Sequence, residues 1–126
     1  MVFKGIHIDE TDSTNGYFRE IPCHSDANMV VVAEYQTAGK GCGSNSWESE
    51  RRKNLTFSVL LHPTEIRAKW QFRISEAVSV ALCETLEHLF RPLSPSDSSP
   101  DSGAQEITIK WPNDIYVGDR KICGIL

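Results

Sequence analysis

The sequence has no closely spaced cysteine pair, no N-terminal apolar segment and no long hydrophobic run. Its four cysteines are scattered, which argues against the paired-ligand spacing of a zinc cluster. Residues 1–15 lack the apolar core of a secretion signal, and no stretch approaches the roughly 20 apolar residues of a membrane-spanning helix. The sequence therefore predicts a cytoplasmic protein with reduced thiols and no membrane association.

Neither sign of charge dominates, because 13 lysines and arginines stand against 17 aspartates and glutamates, for a formal charge of −4. This mild acidity argues against broad, non-specific binding of nucleic acid. A specific anionic ligand remains open, because local cations matter more than the sum. The length of 126 residues fits a single domain, 1–126, with one small core.

Short apolar runs predict strands and turn residues separate them. The predicted strands are 3–10, 29–35, 55–61, 106–111, 115–117 and 122–126. The last two are joined by a tight hairpin turn at 118–120. Residues 55–61 are apolar on both phases, which predicts a strand buried on both faces.

Two helices are predicted. A short one begins at residues 12–15, where Asp12, Ser13 or Thr14 can cap the exposed N–H groups of the first turn. A longer one covers most of 63–90, and its apolar stripe is expected to pack on a sheet. That stripe consists of Ile74, Ala77, Val78, Ala81, Leu82, Thr85, Leu86 and Leu89.

Two regions break this pattern. Residues 92–105 are proline, serine, aspartate and glycine with almost nothing apolar, which predicts a mobile loop. The chain ends inside the apolar run 124–126, and an unpaired apolar strand end is unusual in a complete domain. The expectation is a fragment or truncated copy of a longer protein, without a C-terminal domain.

The glycine-rich segment 39-GKGCGSNSW-47 follows a predicted strand. It matches neither the Walker A spacing nor the dinucleotide fingerprint, and no helix follows it. Its glycines still allow backbone N–H groups to approach an anion, and Trp47 offers a flat face to a base. Cations also cluster nearby, at Lys40, Arg51, Arg52 and Lys53. The alternative is a solvated surface loop with a chance cluster of glycines.

A second constellation occupies 110-KWPND-114 and Lys121. Asp114 can help to bind Mg²⁺, which favours carboxylate oxygens and water. Asn113 can orient a water or a phosphate oxygen, and Lys121 can neutralise an anion. The alternative is an ordinary Pro-Asn-Asp turn between strands. Combined with the glycine-rich segment, these residues indicate a nucleotide-activating site.

Four blocks in order carry a family resemblance. They are 12-DSTN-15, 34-EYQTAGKG-41, 45-NSW-47 with 54-NLTFS-58, and 110-KWPND-114 continuing to 121-KICGIL-126. Together they resemble the catalytic domain of biotin protein ligases. The resemblance implies an α+β fold with a mixed sheet flanked by helices, similar to class II aminoacyl-tRNA synthetases. It also implies MgATP-dependent conversion of biotin to biotinoyl-5′-AMP, followed by transfer to a lysine of a biotin carboxyl carrier domain.

The resemblance also implies site residues. The lysines Lys110 and Lys121 would serve catalysis, Lys121 by holding the biotin carboxylate or the phosphate, and Asp114 would serve the metal. The other implied contacts to biotin are Ser13, Thr14, Asn15, Gln36, Lys40, Gly41 and Cys42. The implied contacts to ATP or the adenylate are Gly39, Lys40, Gly41, Gly43, Trp47 and Asn113.

Two arginines that are usual in the family's loop are absent, because Lys40 and Cys42 stand at their positions. Lysine keeps the charge without the planar fork, and cysteine brings no charge. The expectation is weaker retention of the adenylate, or little activity. Two alternatives follow: a lipoate or octanoyl ligase or transferase of the same architecture, and a non-catalytic biotin-binding remnant. No helix-turn-helix is present, so DNA binding is not supported, and a homodimer is left open.

Overall fold

A computed structural model describes residues 2–21, 27–90 and 106–126. The chain divides into two compact units, Met1–Glu65 and Ile66–Leu126. The strands are β1 Phe3–Ile8, β2 Asn28–Ala33, β3 Thr56–Leu60, β4 Ile107–Lys110, β5 Asp114–Val117 and β6 Arg120–Gly124. The helices are α1 Thr14–Glu20 and α2 Phe72–Phe90, with a 3₁₀ turn at Ala68–Trp70. The predicted mobile loop at 92–105 lies outside the described residues.

The first unit is built on a mixed sheet in the order β1-β2-β3. β1 runs parallel to β2, and β3 runs antiparallel to it. Successive side chains of a strand point to opposite faces, so Met29, Val31 and Ala33 lie together on one face of β2 and are buried. The mixed sheet and the α+β class therefore agree with the expectation from the resemblance.

Helix α1 packs against β2 and β3. Of the three candidate caps, Ser13 is the one that is used. Its backbone is extended, at φ −158° and ψ 144°, and its hydroxyl oxygen accepts a hydrogen bond from the Gly16 N–H at 2.9 Å. A side-chain oxygen at this position satisfies one of the N–H groups that the first turn leaves without a helical partner.

The prediction that the strand at 55–61 is buried on both faces is wrong. Within β3, Thr56, Ser58 and Leu60 are half-buried, whereas Phe57 and Val59 are exposed. β3 is an edge strand of this sheet, and α1 lies against one face only. Apolar residues on both phases do not reveal whether a second layer covers the other face.

The second unit contains an antiparallel sheet in the order β4-β5-β6, with α2 packed against β4 and β5. The predicted hairpin turn is confirmed, because β5 ends at Val117 and β6 begins at Arg120. Gly118 has a φ of +56°, the left-handed conformation that glycine adopts without steric cost. Ile115 of β5 is fully buried beneath the helix layer.

The predicted packing stripe of α2 is only partly right. Ile74, Leu82 and Leu86 are half-buried, but the other predicted members are exposed: Ala77, Val78, Ala81, Thr85 and Leu89. The most buried residue of the helix is Ser79, whose hydroxyl donates to the Ser75 carbonyl at 2.8 Å. This bond offsets the cost of burying a serine, and hydropathy alone does not place a serine on the packed face.

Candidate functional site

A polar cluster lies at the N-terminus of α1. The backbone N–H of Thr14 donates to Gln36 Oε1 at 2.7 Å, and the Thr14 hydroxyl donates to the same oxygen at 3.1 Å. The Ser58 hydroxyl of β3 lies 2.9 Å from the Thr14 hydroxyl. Thr14 is 3% exposed, so these bonds satisfy a hydroxyl that water does not reach. The cluster fixes the direction of the Gln36 side chain.

Backbone pairing brings Gln36 to this position. Thr11 and Gln36 form a parallel bridge directly beyond the ends of β1 and β2. The Thr37 N–H donates to the Thr11 carbonyl at 2.9 Å, and the Ala38 N–H donates to the Asp12 carbonyl at 2.8 Å. The segment after β2 therefore runs beside the residues that cap α1. This pairing brings together the predicted biotin contacts Ser13, Thr14 and Gln36, while Asn15 is exposed on the first turn.

The glycine-rich segment forms a small hairpin. Lys40 and Ser46 form an antiparallel bridge, the Gly41 N–H donates to the Asn45 carbonyl at 2.8 Å, and the Trp47 N–H donates to the Gly39 carbonyl at 2.9 Å. Lys40 and Cys42 are exposed on it. Its N–H groups at 41 and 47 thus have partners within the hairpin, and contact of the segment with a phosphate stays a prediction.

Two of the glycines have a structural reason. A Cβ on Gly39 would lie 2.3 Å from the Trp47 carbonyl oxygen, a backbone atom that cannot easily move away, and 2.8 Å from Gln36 Nε2. Gly43 has a φ of +66°, which places it at the left-handed position of the turn. The glycine pattern is therefore set by the hairpin itself, whatever ligand binds beside it.

Three of the four nearby cations are balanced by carboxylates. Arg51 Nη1 lies 2.9 Å from Asp9 Oδ2, and its other terminal nitrogen pairs with Glu10. Arg52 lies 3.4 Å from Asp9 and 3.6 Å from Glu34, and Lys53 pairs with Glu50 at 2.5 Å. In the part of the chain that the structure describes, Lys40 is the member of this set without an ion pair.

An open cleft of about 510 Å³ lies between the segment after β2 and the second half of the hairpin region. One wall is 35–39 and the other is 46–50. The residues that line it are Tyr35, Gln36, Thr37, Ala38, Gly39, Ser46, Trp47, Glu48, Ser49 and Glu50. Three predicted ligand contacts, Gln36, Gly39 and Trp47, therefore share one concave surface, which is the usual shape of a small-molecule site.

In the second unit, Lys121 Nζ lies 2.7 Å from Asp114 Oδ2. Asn113 is hydrogen-bonded to the backbone of Ile125. Its side-chain amide donates to the Ile125 carbonyl, and the Ile125 N–H donates to the Asn113 backbone carbonyl at 3.0 Å. Lys110 is exposed, with its ammonium 5.6 Å from the centre of the Tyr116 ring. Four predicted residues thus lie on β4, β5 and β6 or on the turn between β4 and β5.

The surroundings of Asp114 fit only a metal that is held mainly by other groups. Among the described residues no three histidine, cysteine, aspartate or glutamate side chains cluster as ligands. A lone carboxylate fits Mg²⁺, which usually keeps several waters and takes phosphate oxygens from its substrate. Nearby, burial raises the pKa of the Cys123 thiol, and the Asp114 charge raises it further against the opposing effect of Lys121.

Sequence reasoning missed Ser58 as a member of the polar cluster, and it missed the carboxylates Asp9 and Glu10 that bind Arg51. A signal for Ser58 existed, because a hydroxyl on a strand expected to be buried needs a partner. No signal links Asp9 to Arg51, since they lie 42 residues apart.

The chain resembles known ligases in sequence and in fold. The sequence model described as "Biotin/lipoate A/B protein ligase family" matches residues 8–126. The bifunctional ligase/repressor BirA of Escherichia coli is 31% identical over 115 residues, which cover 91% of this chain and 32% of that protein. The human biotin–protein ligase is 33% identical over 105 residues, which cover 80% and 13%. The chain therefore spans a third or less of the length of these relatives.

Solved structures agree. The biotin protein ligase of Leishmania major in complex with biotinyl-5-AMP superposes with a TM-score of 0.78 at 25% identity, over 97% of this chain and 50% of that one. The Aquifex aeolicus enzyme in complex with biotin and ATP gives a TM-score of 0.73 at 27% identity, over 97% and 45%. No described helix is both long and apolar enough to cross a membrane. The resemblance seen in the sequence blocks is thereby confirmed, and the chain belongs to the biotin/lipoate A/B protein ligase family.

Proposed function

We propose that this chain takes part in the ATP-dependent activation of biotin to biotinoyl-5′-AMP and in its transfer to a lysine of a biotin carboxyl carrier domain. The observation that carries the proposal is the contact between Thr14 and Gln36 at the edge of the cleft. The resemblance assigned both residues to biotin, although they are 22 positions apart. The ligands named for the Leishmania and Aquifex proteins support the same chemistry.

The polar cluster suits a ureido ring, which carries two N–H donors and one carbonyl acceptor. Because Gln36 Oε1 accepts both bonds from Thr14, the Gln36 amide group Nε2 is the part that can donate to a ligand carbonyl. Ser13 and Asn15 would complete the polar contacts to the ring. Lys40, Gly41 and Cys42 would lie against the adenylate, with Gly39, Gly43 and Trp47 shaping the nucleotide-binding surface.

In the first step a carboxylate oxygen of biotin attacks the α-phosphorus of ATP, and pyrophosphate leaves. Two anions must approach each other, so cationic side chains lower the barrier by offsetting their repulsion. Lys121 is proposed to hold the biotin carboxylate or the phosphate, with Lys110 and Asn113 near the phosphates. Asp114 would hold Mg²⁺, which would neutralise phosphate charge when bound. In the second step the acceptor amine attacks the acyl carbonyl and AMP leaves.

The test is calorimetric titration of biotin into this chain with and without MgATP, together with an assay for pyrophosphate. We expect biotin to bind and MgATP to produce pyrophosphate. Addition of a biotin carboxyl carrier domain should then give a labelled lysine. A folded chain that binds no biotin under either condition contradicts the proposal.

A second candidate is a biotin-binding remnant without chemistry, which is favoured by Lys40 and Cys42 at the positions of the family's arginines. Biotin binding without any pyrophosphate would support it. The family description also includes lipoate ligases. Competition between lipoate and biotin tests that alternative, because the affinity of a biotin site for biotin should not change in an excess of lipoate.

A further inference from the structure

Arg51 lies directly after the wall 46–50 of the cleft. Its side chain makes three contacts, two with carboxylates that follow β1 and one with an aromatic ring on the other wall. Its guanidinium donates to Asp9 at 2.9 Å and to Glu10, both of which follow β1. It also lies over the Tyr35 ring, 5.1 Å from the ring centre, and Tyr35 lines the other wall. One side chain therefore links the end of one wall to the start of the other and to the residues that follow β1.

The turn that follows is tied to the end of β2 through its backbone. Arg52 has a φ of +61°, a conformation that residues other than glycine rarely adopt. Its N–H donates to the Glu34 carbonyl at 3.0 Å, just after the end of β2. An unfavourable backbone conformation persists only where the surrounding contacts determine it, and these contacts are the ones that tie the turn to the strand ends.

The contact between Arg51 and Asp9 has the character of a charge-assisted bond. The hydrogen bond from Arg51 holds the pKa of the Asp9 carboxyl below its ordinary value, which means that the bond favours the ionised carboxylate. The fork of a guanidinium can engage two carboxylates at once, which a lysine ammonium does with less geometric definition. The link therefore depends on arginine and not simply on positive charge.

We propose that Arg51 is a positioning residue that holds the two walls of the cleft, 35–39 and 46–50, at a fixed spacing. The further consequence rests on the proposed function: the spacing sets the affinity for the adenine nucleotide that binds in this cleft, which Gly39 and Trp47 line. Arg51 itself does not line the cleft. It acts through Tyr35 and through the anchoring of the 46–50 wall.

The test is hydrogen exchange followed by mass spectrometry in the absence of ligand, comparing Arg51→Met with the unchanged chain. Methionine keeps an apolar stem over Tyr35 and loses both bonds to carboxylates. We expect the exchange rate of residues 46–50, including the Trp47 N–H, to rise about threefold or more. The rates in α1 and β2 should not change. Arg51→Lys should restore the protection only in part.

Arg52→Gly is the matched control. It removes two longer ion pairs and relieves the positive φ, but it leaves Arg51 with its contacts. Exchange at 46–50 should not rise in it. The proposal is overturned if Arg51→Met leaves exchange at 46–50 unchanged, if it raises α1 and β2 equally, or if Arg52→Gly has the same effect.

Nucleotide binding tests the consequence separately. If the unchanged chain binds ATP, Arg51→Met should raise its Kd for ATP about threefold or more. The biotin Kd without nucleotide should not change. An unchanged ATP Kd, despite faster exchange, overturns the link to affinity. A wild-type chain that binds neither ligand refutes the proposed function, while the exchange experiment still decides the role of Arg51.

Discussion

The ammonium of Lys121 and the carboxylate of Asp114 form an ion pair at 2.7 Å between the neighbouring strands β5 and β6. Their side chains are 33% and 27% exposed, so water screens the pair only in part. The proposed function gives these two groups different ligands, an anion for Lys121 and a cation for Asp114. In the structure, each group is therefore paired with a charge of the same sign as its proposed ligand: Lys121 with an anion and Asp114 with a cation.

Replacing Asp114 with asparagine should therefore have opposite effects on the two substrates. Biotin should bind about two- to fivefold more tightly without nucleotide, because Lys121 no longer has that carboxylate beside it. Pyrophosphate release should fall about tenfold or more, because the proposed metal ligand is lost. Calorimetry and a pyrophosphate assay measure the two effects.

Asp119→Asn is the control for that change, since Asp119 is an exposed carboxylate in the turn of the same hairpin. It should alter neither quantity. Weaker biotin binding in Asp114→Asn would contradict the competition between Asp114 and the biotin carboxylate for Lys121.

Removing the Thr14 hydroxyl should destabilise the first unit. Thr14→Val keeps the shape and the backbone bond to Gln36, but it removes the hydroxyl that contacts Gln36 Oε1 and Ser58, and loss of a buried hydrogen-bond partner costs about 1–3 kcal/mol. Ser58→Ala should cost less when Thr14 is already valine, because the bond between them is gone. Urea unfolding of the unchanged chain, the two single variants and the double variant measures the coupling between the two hydroxyls.

Thr56→Val provides the comparison, because Thr56 is a half-buried threonine on the same strand as Ser58. It should change the free energy of unfolding by less than about 0.5 kcal/mol. Additive costs for Thr14→Val and Ser58→Ala would mean that the two hydroxyls do not interact.

Gly39→Ala should disrupt the hairpin, because the new methyl group would lie 2.3 Å from the Trp47 carbonyl oxygen. The backbone cannot yield there without breaking the bond between the Trp47 N–H and the Gly39 carbonyl. We expect a loss of about 1–3 kcal/mol in the free energy of unfolding. Gly5→Ala on β1 has no atom within 4 Å of the added carbon, so it should be neutral or slightly stabilising. Equal effects from the two variants would argue against the close approach at Gly39.

Cys42→Arg should slow the release of biotinoyl-AMP. An arginine at this exposed hairpin position can donate charge-assisted bonds to the adenylate phosphate. One such contact corresponds to a dissociation rate about tenfold slower or more. Release of labelled adenylate after a chase with unlabelled biotin gives the rate. Cys42→Ser, which adds no charge, should behave as the unchanged chain, and an unchanged rate in Cys42→Arg would refute this account of the substitution.

The thiols should differ in reactivity. Burial raises the pKa of the Cys83 and Cys123 thiols, so at a given pH a smaller fraction of each is thiolate, the form that reacts with iodoacetamide. Of the three cysteines in the described residues, Cys42 is exposed and should be alkylated first at pH 8, whereas the rates at Cys83 and Cys123 should still rise as the pH passes 9.0. Peptide mass spectrometry at several pH values measures all three. Alkylation of Cys123 before Cys42 would contradict the described burial.

Local patterns in the sequence were sufficient for the elements, but not for all of their ends, since the helix predicted from residue 63 begins at Phe72. The β-branched run before Ala33, the cap near Ser13 and the turn at Gly118 depend on residues within a few positions of one another. The same is true of the ordered blocks that carry the family resemblance. Each block is a short segment that can be recognised without knowing which residues surround it in the folded chain.

The sequence by itself thus determined the α+β class, the order of the strands and helices in the described residues, and the family. Only the tertiary structure decided that Ser58 meets Thr14 across 44 residues and that Arg51 meets Asp9 across 42. It also decided that Ser79, and not Val78, is the buried side chain at this level of α2. The reason is physical. The periodicity of a segment indicates which of its residues share a face, whereas the residues that cover that face depend on which distant segments pack against it.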